Sequence, residues 1–295
     1  MTIFGAIEAG GTKFVCGIGD AASGSLETAV IATRDPDSTF ADVERFFRQA
    51  ERHGPITGIG IASFGPVELH AGSERFGHIL ATPKPFWEGT DMIGRTRAIL
   101  DMPMMIDTDV NAAALAEAAA AGPDVTQLAY VTVGTGIGIG LVSGGVPVHG
   151  LGHPETGQVH RRRHPAHGAF AGICSFHGDC LEGLASGPAV VVAWGGTPSH
   201  FPEDHPFWAV EADYLAQLCV TLFLTVAPMR IVLGGGVMKQ QRLFPLIHRR
   251  TAELLAGYFS HAKTPAEMAE RIVPPLCTEP SGLIGAYLLA KGTVA

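Results

Sequence analysis

Several absences narrow the possibilities first. No stretch of the chain strings together the roughly 18 uninterrupted apolar residues that a membrane span requires, so no membrane partner is expected. The start, "MTIFGAIEAGG", lacks the basic residues and small-residue cleavage site of a signal peptide, so a cytoplasmic location is expected. Cysteine is scarce, at five residues, and Cys16, Cys219 and Cys277 lie in apolar runs, where buried thiols suited to a reducing compartment are expected. A basic face is missing as well. The net charge is −8 and the single basic run, "RRRH" at 161–164, is short, so nucleic acid is not an expected partner. Two nucleotide fingerprints also fail. No G-x-x-x-x-G-K-[ST] occurs, and with Gly134 and Gly136 as the first pair of a dinucleotide motif, the third glycine position, 139, is isoleucine.

What is present is glycine, 38 residues of it, clustered beside β-branched runs: "GAIEAGGTK", "GIGIASFGP", "VGTGIGIG" and "VLGGGV". An ordinary hairpin turn explains any one cluster. Four of them at strand ends point instead to a glycine-lined cleft where backbone can approach a ligand. With 46% hydrophobic residues over 295 positions, two domains with ample cores are expected.

The hydrophobic pattern predicts strands at 3–8, 13–19 and 26–33, a helix at 38–52, strands at 56–62 and 103–107, and a helix at 111–121. The second half partly repeats this. Strands at 128–134 and 138–144 precede a third beginning in "GGVPV", and an irregular insert follows over about 149–180. Helices at 188–194 and 208–227, a strand at 230–235 and helices at 239–256 and 281–291 complete the chain. Two copies of a three-strand unit, each followed by helix and strand, predict two α/β lobes with a ligand cleft between them.

The two hairpin loops "EAGGTK" (8–13) and "GTGIGIG" (134–140) offer exposed N–H groups and a threonine hydroxyl to phosphate oxygens, with Lys13 or a Glu8-bound Mg²⁺ opposing the charge. Asp107 and Asp109 alternate at the end of "PMMIDTD", which puts both on one strand face. From spacing alone Asp109 is equally a catalytic carboxylate or the cap of the helix after it. Cys174, His177 and Cys180 stand at equal three-residue steps in "CSFHGDC", and Gly178 allows the tight turn that would bring them onto one tetrahedral Zn²⁺.

Together these motifs resemble sugar kinases with the actin-like ATPase (ribonuclease H-like) fold. "EAGGTK", "GTGIGIG" and "GGGV" are similar to their two phosphate motifs and adenosine motif. "ASFGPVEL", "TPKPFW", "DTDVNAAALAE", "GHPETGQ" and "CSFHGDCLEGLASGPA" resemble the ROK family, nearest its bacterial fructokinase branch. The matches run in order from residue 3 to about 290.

The resemblance implies an ATP-dependent hexose kinase, with Glu8, Gly10, Gly11, Thr12, Lys13, Gly134, Thr135, Gly136, Gly234, Gly235 and Gly236 holding ATP and Mg²⁺. It makes Asp109 the general base and puts Gly65, Pro66, Asn111 and Glu155 at the sugar. Asn111 fits either a sugar contact or a loop brace. Glu8 stands where most of these kinases carry aspartate, one methylene longer, which suits a water-mediated Mg²⁺. Thr108 replaces the asparagine usual in the family's glucokinases, which favours fructose, phosphorylated on its 6-hydroxyl, over glucose, mannose or N-acetylhexosamines.

The family's fourth zinc ligand is a histidine ending Glu-x-Gly-His, a position occupied here by Gln158. Glutamine is a poor zinc ligand, so His160 is expected in its place, ahead of His164 and His167. The zinc is read as structural, since a kinase needs no open metal position. The expected lobes are residues 1–112 with the closing helix 280–295, and residues 113–279 with the zinc insert. A homodimer is implied by the family alone. ROK repressors share the fold, but they carry an N-terminal helix-turn-helix, and the first phosphate motif here begins at Glu8.

Overall fold

A computed structural model describes residues 2–293. The first sheet begins with an antiparallel meander, β1 (Ile3–Ala9), β2 (Lys13–Asp20) and β3 (Gly24–Ala32). Helix α1 (Pro36–Ala50) then leads into β4 (Ile56–Ser63), and α2 (Met92–Ile99) into β5 (Met104–Thr108). Strand order is β3-β2-β1-β4-β5, with β4 parallel to both β1 and β5. Helix α3 (Asp109–Ala121) follows directly.

The second sheet repeats this plan. β6 (Gln127–Val133), β7 (Ile137–Ser143) and the two-residue β8 (Val146–Pro147) form the meander. Short helices α4 (Leu181–Ala185) and α5 (Gly187–Trp194) and the long α6 (Phe207–Thr225) precede β9 (Arg230–Gly234), which is parallel to β6. Helices α7 (Leu243–Leu255) and α8 (Pro265–Arg271) lead to β10 (Ile272–Val273), parallel to β9. The order β8-β7-β6-β9-β10 is the same 3-2-1-4-5 arrangement. Helix α9 (Ser281–Gly292) closes the chain.

Four short elements escape the pattern reading: α2, α4, α8 and β10. Each is too brief for periodicity to declare itself. α8 nonetheless carries a legible start, because Thr264 and Glu267 form a reciprocal capping box. Helix α6 is, among the described residues, the one helix long and apolar enough to cross a membrane. It is instead 72% buried over that window and packs along α7 as a core helix.

The chain divides into two compact units. One comprises Met1–Ala120, Gly145–Pro154 and Cys277–Ala295; the other comprises Ala121–Gly144 and Glu155–Leu276. The division falls at the end of α3, later than residue 112, because α3 packs on the first sheet through Ala112 and on α9 through the Glu117–Ser281 hydrogen bond. Gly145–Pro154, expected with the second lobe, belongs to the first, where His149 pairs with Asp107 and His153 accepts from the Val67 amide.

Strand alternation sorts the first core. Ile3, Ile7, Phe14, Cys16, Ile18, Ile59 and Ile61 face α1, where Phe40, Val43, Phe46 and Phe47 supply the helical stripe. The opposite face shows Phe4, Ala6, Val15 and Ala62 to α9. On that face small residues let α9 lie against strand backbone. A Cβ at Gly60 would strike the Ala286 carbonyl, and one at Gly285 would strike that of Ala112. Gly60→Ala is therefore expected to cost about 3 kcal/mol, at the upper end of overpacking penalties, read as a lower denaturant midpoint. A loss under about 0.5 kcal/mol, the range of a neutral surface change, would show that α9 shifts freely.

Candidate functional site

Register assembles the first group of residues. Ala9, Ser63 and Thr108 stand in one row across β1, β4 and β5, so the segments that follow them leave the same sheet edge. The first two are loops, carrying Gly10–Lys13 and Gly65–Pro66, and the third runs straight into α3 with Asp109. In the first, the Gly10 amide donates to the Lys13 carbonyl at 3.0 Å, and a Cβ on Gly10 would lie 2.8 Å from that oxygen. Only glycine closes this turn. Gly11, by contrast, faces open space, and Gly11, Thr12 and Lys13 are exposed. Beside them Glu8 Oε2 is buried with no hydrogen-bond partner. Burial raises the Glu8 pKa, and the Lys13 charge opposes the shift.

At β5 the structure corrects the alternation argument. The strand ends at Thr108 and α3 starts at Asp109, so Asp107 and Asp109 do not share a strand face. The capping bond belongs to Thr108, whose Oγ1 accepts from the Asn111 amide at 3.1 Å. Asp109 sits in the first turn of α3 with Oδ1 accepting from the Val110 amide at 2.9 Å.

Asp107 is 3% exposed and works as an anchor. Its Oδ1 accepts from the Thr108 amide at 2.7 Å and from Asn111 Nδ2 at 2.8 Å, while Oδ2 lies 3.0 Å from His149 Nε2. Asn111, 1% exposed, thus braces Asp107. His149 has no signal in the sequence reading and His153 enters it only within "GHPETGQ", although "HGLGH" sets the two four residues apart. His153 Nε2 accepts from the Val67 amide at 3.3 Å and its ring lies against Gly65. Burial lowers its pKa, and a neutral ring suits an acceptor.

The second group lies in the other unit. The β6–β7 loop, Gly134–Gly136, closes with Gly134 N–H donating to the Gly136 carbonyl at 2.9 Å. The Gly234–Gly236 loop leaves β9 at the same end, since Thr132 pairs with Gly234. Gly235 has φ +91°, and a side chain there would meet Val133 backbone. Gly187 N–H, at the start of α5, donates to the Gly134 carbonyl at 2.8 Å.

Glu182, also unflagged by the sequence, holds this hairpin from behind. Its Oε2 accepts from the Ile137 amide at 2.9 Å, and its Oε1 accepts from Gln158 Nε2 at 3.1 Å. A carboxylate one residue after Leu181 in a cysteine-rich segment gave no periodic or spacing signal. Glu155 opens the one-turn helix Thr156–Gln158. Solvent reaches part of its surface, yet the protein around it pushes its carboxyl up to about 7, and the negative Glu182 adds to the shift.

Cys174, His177 and Cys180 do come together, their ligand atoms all within 4.8 Å of one another. His160 does not join them. Its side chain is 65% exposed, with Nδ1 3.3 Å from Asp179. The residue that enters the cluster is Gln158, whose Oε1 lies 3.4 Å from Cys174 Sγ, 3.4 Å from Cys180 Sγ and 3.1 Å from His177 Nδ1. The expectation of His160 assumed one strand over 158–160, whereas Gln158 ends a helical turn.

The comparisons with known proteins agree on family. The model of the ROK family matches residues 4–293. This chain belongs to the ROK family. It is 40% identical over 298 residues to a fructokinase of Zymomonas mobilis, covering 98% of this chain and 96% of that protein. It is 38% identical to a fructokinase of Pediococcus pentosaceus, covering 99% of both. Among solved structures, the ROK hexokinase of Thermus thermophilus superposes with a TM-score of 0.78 at 23% identity, over 99% of each chain. That likeness supports the actin-like α/β fold of two sheet-and-helix units.

The Asp107–His149 pair predicts a pH signature. Its hydrogen bond to Asp107 raises the His149 pKa above the ordinary 6.5, against partial burial and with the carboxylate's charge. A raised folded value means that the pair's stabilisation is complete below the unfolded pKa and fades as pH rises through the folded one. The melting-temperature gap between wild type and His149→Gln is thus expected to narrow from about pH 6 to about pH 8. A gap independent of pH would show that the ion pair does not contribute.

Proposed function

We propose that this protein is an ATP-dependent hexose kinase that transfers the γ-phosphoryl group to the 6-hydroxyl of D-fructose. The supporting observation is the placement of Asp109. It lies at the first turn of α3, on the sheet edge that also carries the Gly10–Lys13 loop, and behind it Asp107, Asn111 and His149 form a braced cluster. Identity of 38–40% to fructokinases over nearly the whole chain supports fructose as the acceptor.

In this reading Asp109 accepts the proton of the sugar hydroxyl as that oxygen bonds to the γ-phosphorus. The bond from the γ-phosphorus to the bridging oxygen breaks, and ADP leaves with the electron pair. Amides of Gly10–Thr12 and Gly134–Gly136 hold the phosphates, Lys13 faces their charge, and Gly234–Gly236 borders the nucleoside. The open, buried oxygen of Glu8 fits a role in holding Mg²⁺, directly or through water, and the ion would neutralise phosphate charge. Gly65, Pro66 and Glu155 contact the sugar, and Asn111 serves it indirectly through Asp107.

Cys174, His177 and Cys180 are read as the ligands of a structural Zn²⁺ that tethers the insert following Glu155. A cytoplasmic homodimer, with small molecules rather than nucleic acid or membrane as partners, completes the proposal.

ADP release measured against a panel of hexoses tests the assignment. Fructose is expected to give a higher kcat/KM than glucose, mannose or N-acetylglucosamine; the reverse order would remove the fructose label. No turnover with any hexose would favour a sugar-responsive regulator instead. Asp109→Asn should keep nucleotide binding and lower turnover about 10²-fold or more, as for loss of a general base. Glu155→Ala should raise the fructose KM about tenfold or more, the scale of a lost charged hydrogen bond, with nucleotide affinity nearly unchanged.

A further inference from the structure

We propose that Gln158 is the fourth ligand of the metal at Cys174, His177 and Cys180, through its side-chain carbonyl oxygen. The proposal rests on reading that trio as a zinc site, and it gives the chain a Cys₂-His-Gln set in place of the family's second histidine.

The argument begins with distances. Donor atoms bonded to one tetrahedral Zn²⁺ at the usual bond lengths stand about 3.3–3.8 Å apart. Gln158 Oε1 lies 3.1 Å from His177 Nδ1 and 3.4 Å from each cysteine sulfur, and Cys174 Sγ lies 3.8 Å from His177 Nδ1. A single oxygen therefore faces all three donors at nearly the spacing of a tetrahedron's edges.

The amide is also held the right way round. Its Nε2 donates to Glu182 Oε1 at 3.1 Å, and a carboxylate accepts only, so the carbonyl oxygen is the end turned to the cluster. Glu182 is itself held by the Ile137 amide at 2.9 Å. A carboxylate hydrogen-bonded behind a metal ligand is the usual device for orienting one. The backbone is pinned too: Gly157 is buried against β7, where a Cβ would strike the Ile137 carbonyl, and this seats the helical turn that ends in Gln158.

An amide oxygen is uncharged and harder than an imidazole nitrogen, so it binds zinc less tightly. The ion in this chain should consequently exchange faster than in a Cys₂-His₂ version of the same site. The rival account of the geometry is a metal-free hydrogen-bonded cluster, in which the thiols and the imidazole donate to one carbonyl oxygen.

The experiment compares full-length wild type, Gln158→His, Gln158→Leu and His160→Ala. Zinc content and the rate of zinc release to a chromophoric chelator are measured on each. The d–d absorption of the cobalt(II)-substituted proteins reports the donor set directly. Wild type should hold zinc, Gln158→His should release it about tenfold more slowly, and Gln158→Leu about tenfold faster, the scale on which ligand-shell changes act. The cobalt band of wild type should lie at longer wavelength than that of Gln158→His, because oxygen is the weaker-field donor. His160→Ala should match wild type in both readouts. Identical release and spectra for wild type and both Gln158 variants would overturn this proposal and leave the zinc site standing. Rapid loss of zinc from His160→Ala would transfer the ligand to His160. Wild-type protein that takes up neither zinc nor cobalt would overturn the zinc reading and this proposal together.

Discussion

Parallel register is the constraint on which the rest depends. β1, β4 and β5 end in one row at Ala9, Ser63 and Thr108, so two loops and the start of α3, distant in sequence, leave from one edge. Ligand sites of open α/β sheets sit at the carboxyl ends of strands for this reason: the backbone turns there, and helix N-termini face outward. The second sheet repeats the device with β6 and β9, whose pairing brings the Gly134 and Gly234 loops together. Glycine is needed in those loops because other backbone lies within Cβ distance, as at Gly10 and Gly235.

Polar residues behind these edges do a different job from those on them. Asp107 is nearly buried and spends its oxygens on Thr108, Asn111 and His149, which stiffens the junction where β5 becomes α3. Buried networks of this kind specify a geometry when every member is satisfied. Asp109, two residues on and partly open, can then meet a ligand from a fixed position. Glu182 has the corresponding role in the other unit. One oxygen secures the amide after the β6–β7 hairpin loop, and the other orients Gln158. A single side chain thereby links the hairpin to the cysteine cluster.

Small residues set how closely the layers approach. Gly60 and Gly285 place α9 in backbone contact with β4 and α3, and Tyr287 fills the space above Gly17. The closing helix is joined to the first unit by this contact and by Ser281 on Glu117, which is why residues at the far end of the chain belong with its beginning.

The sequence by itself determined the two-fold plan of three strands followed by helix and strand, because hydrophobic alternation and glycine turns are local and carry their own period. It also determined the cysteine–histidine cluster, since three-residue steps and a glycine suffice to bring those donors together. Only the tertiary structure decided which neighbours serve them. His149 and His153 join the first unit through Asp107 and Val67, contacts that span 42 and 86 residues and leave no local trace. Gln158 rather than His160 faces the cysteine–histidine cluster because 156–158 winds into a helical turn, with Gly157 pressing against β7 and Glu182 behind the amide. Chain neighbours obey local geometry, which a pattern can carry. Which distant carboxylate reaches an amide is settled by packing, and packing exists only in the folded chain.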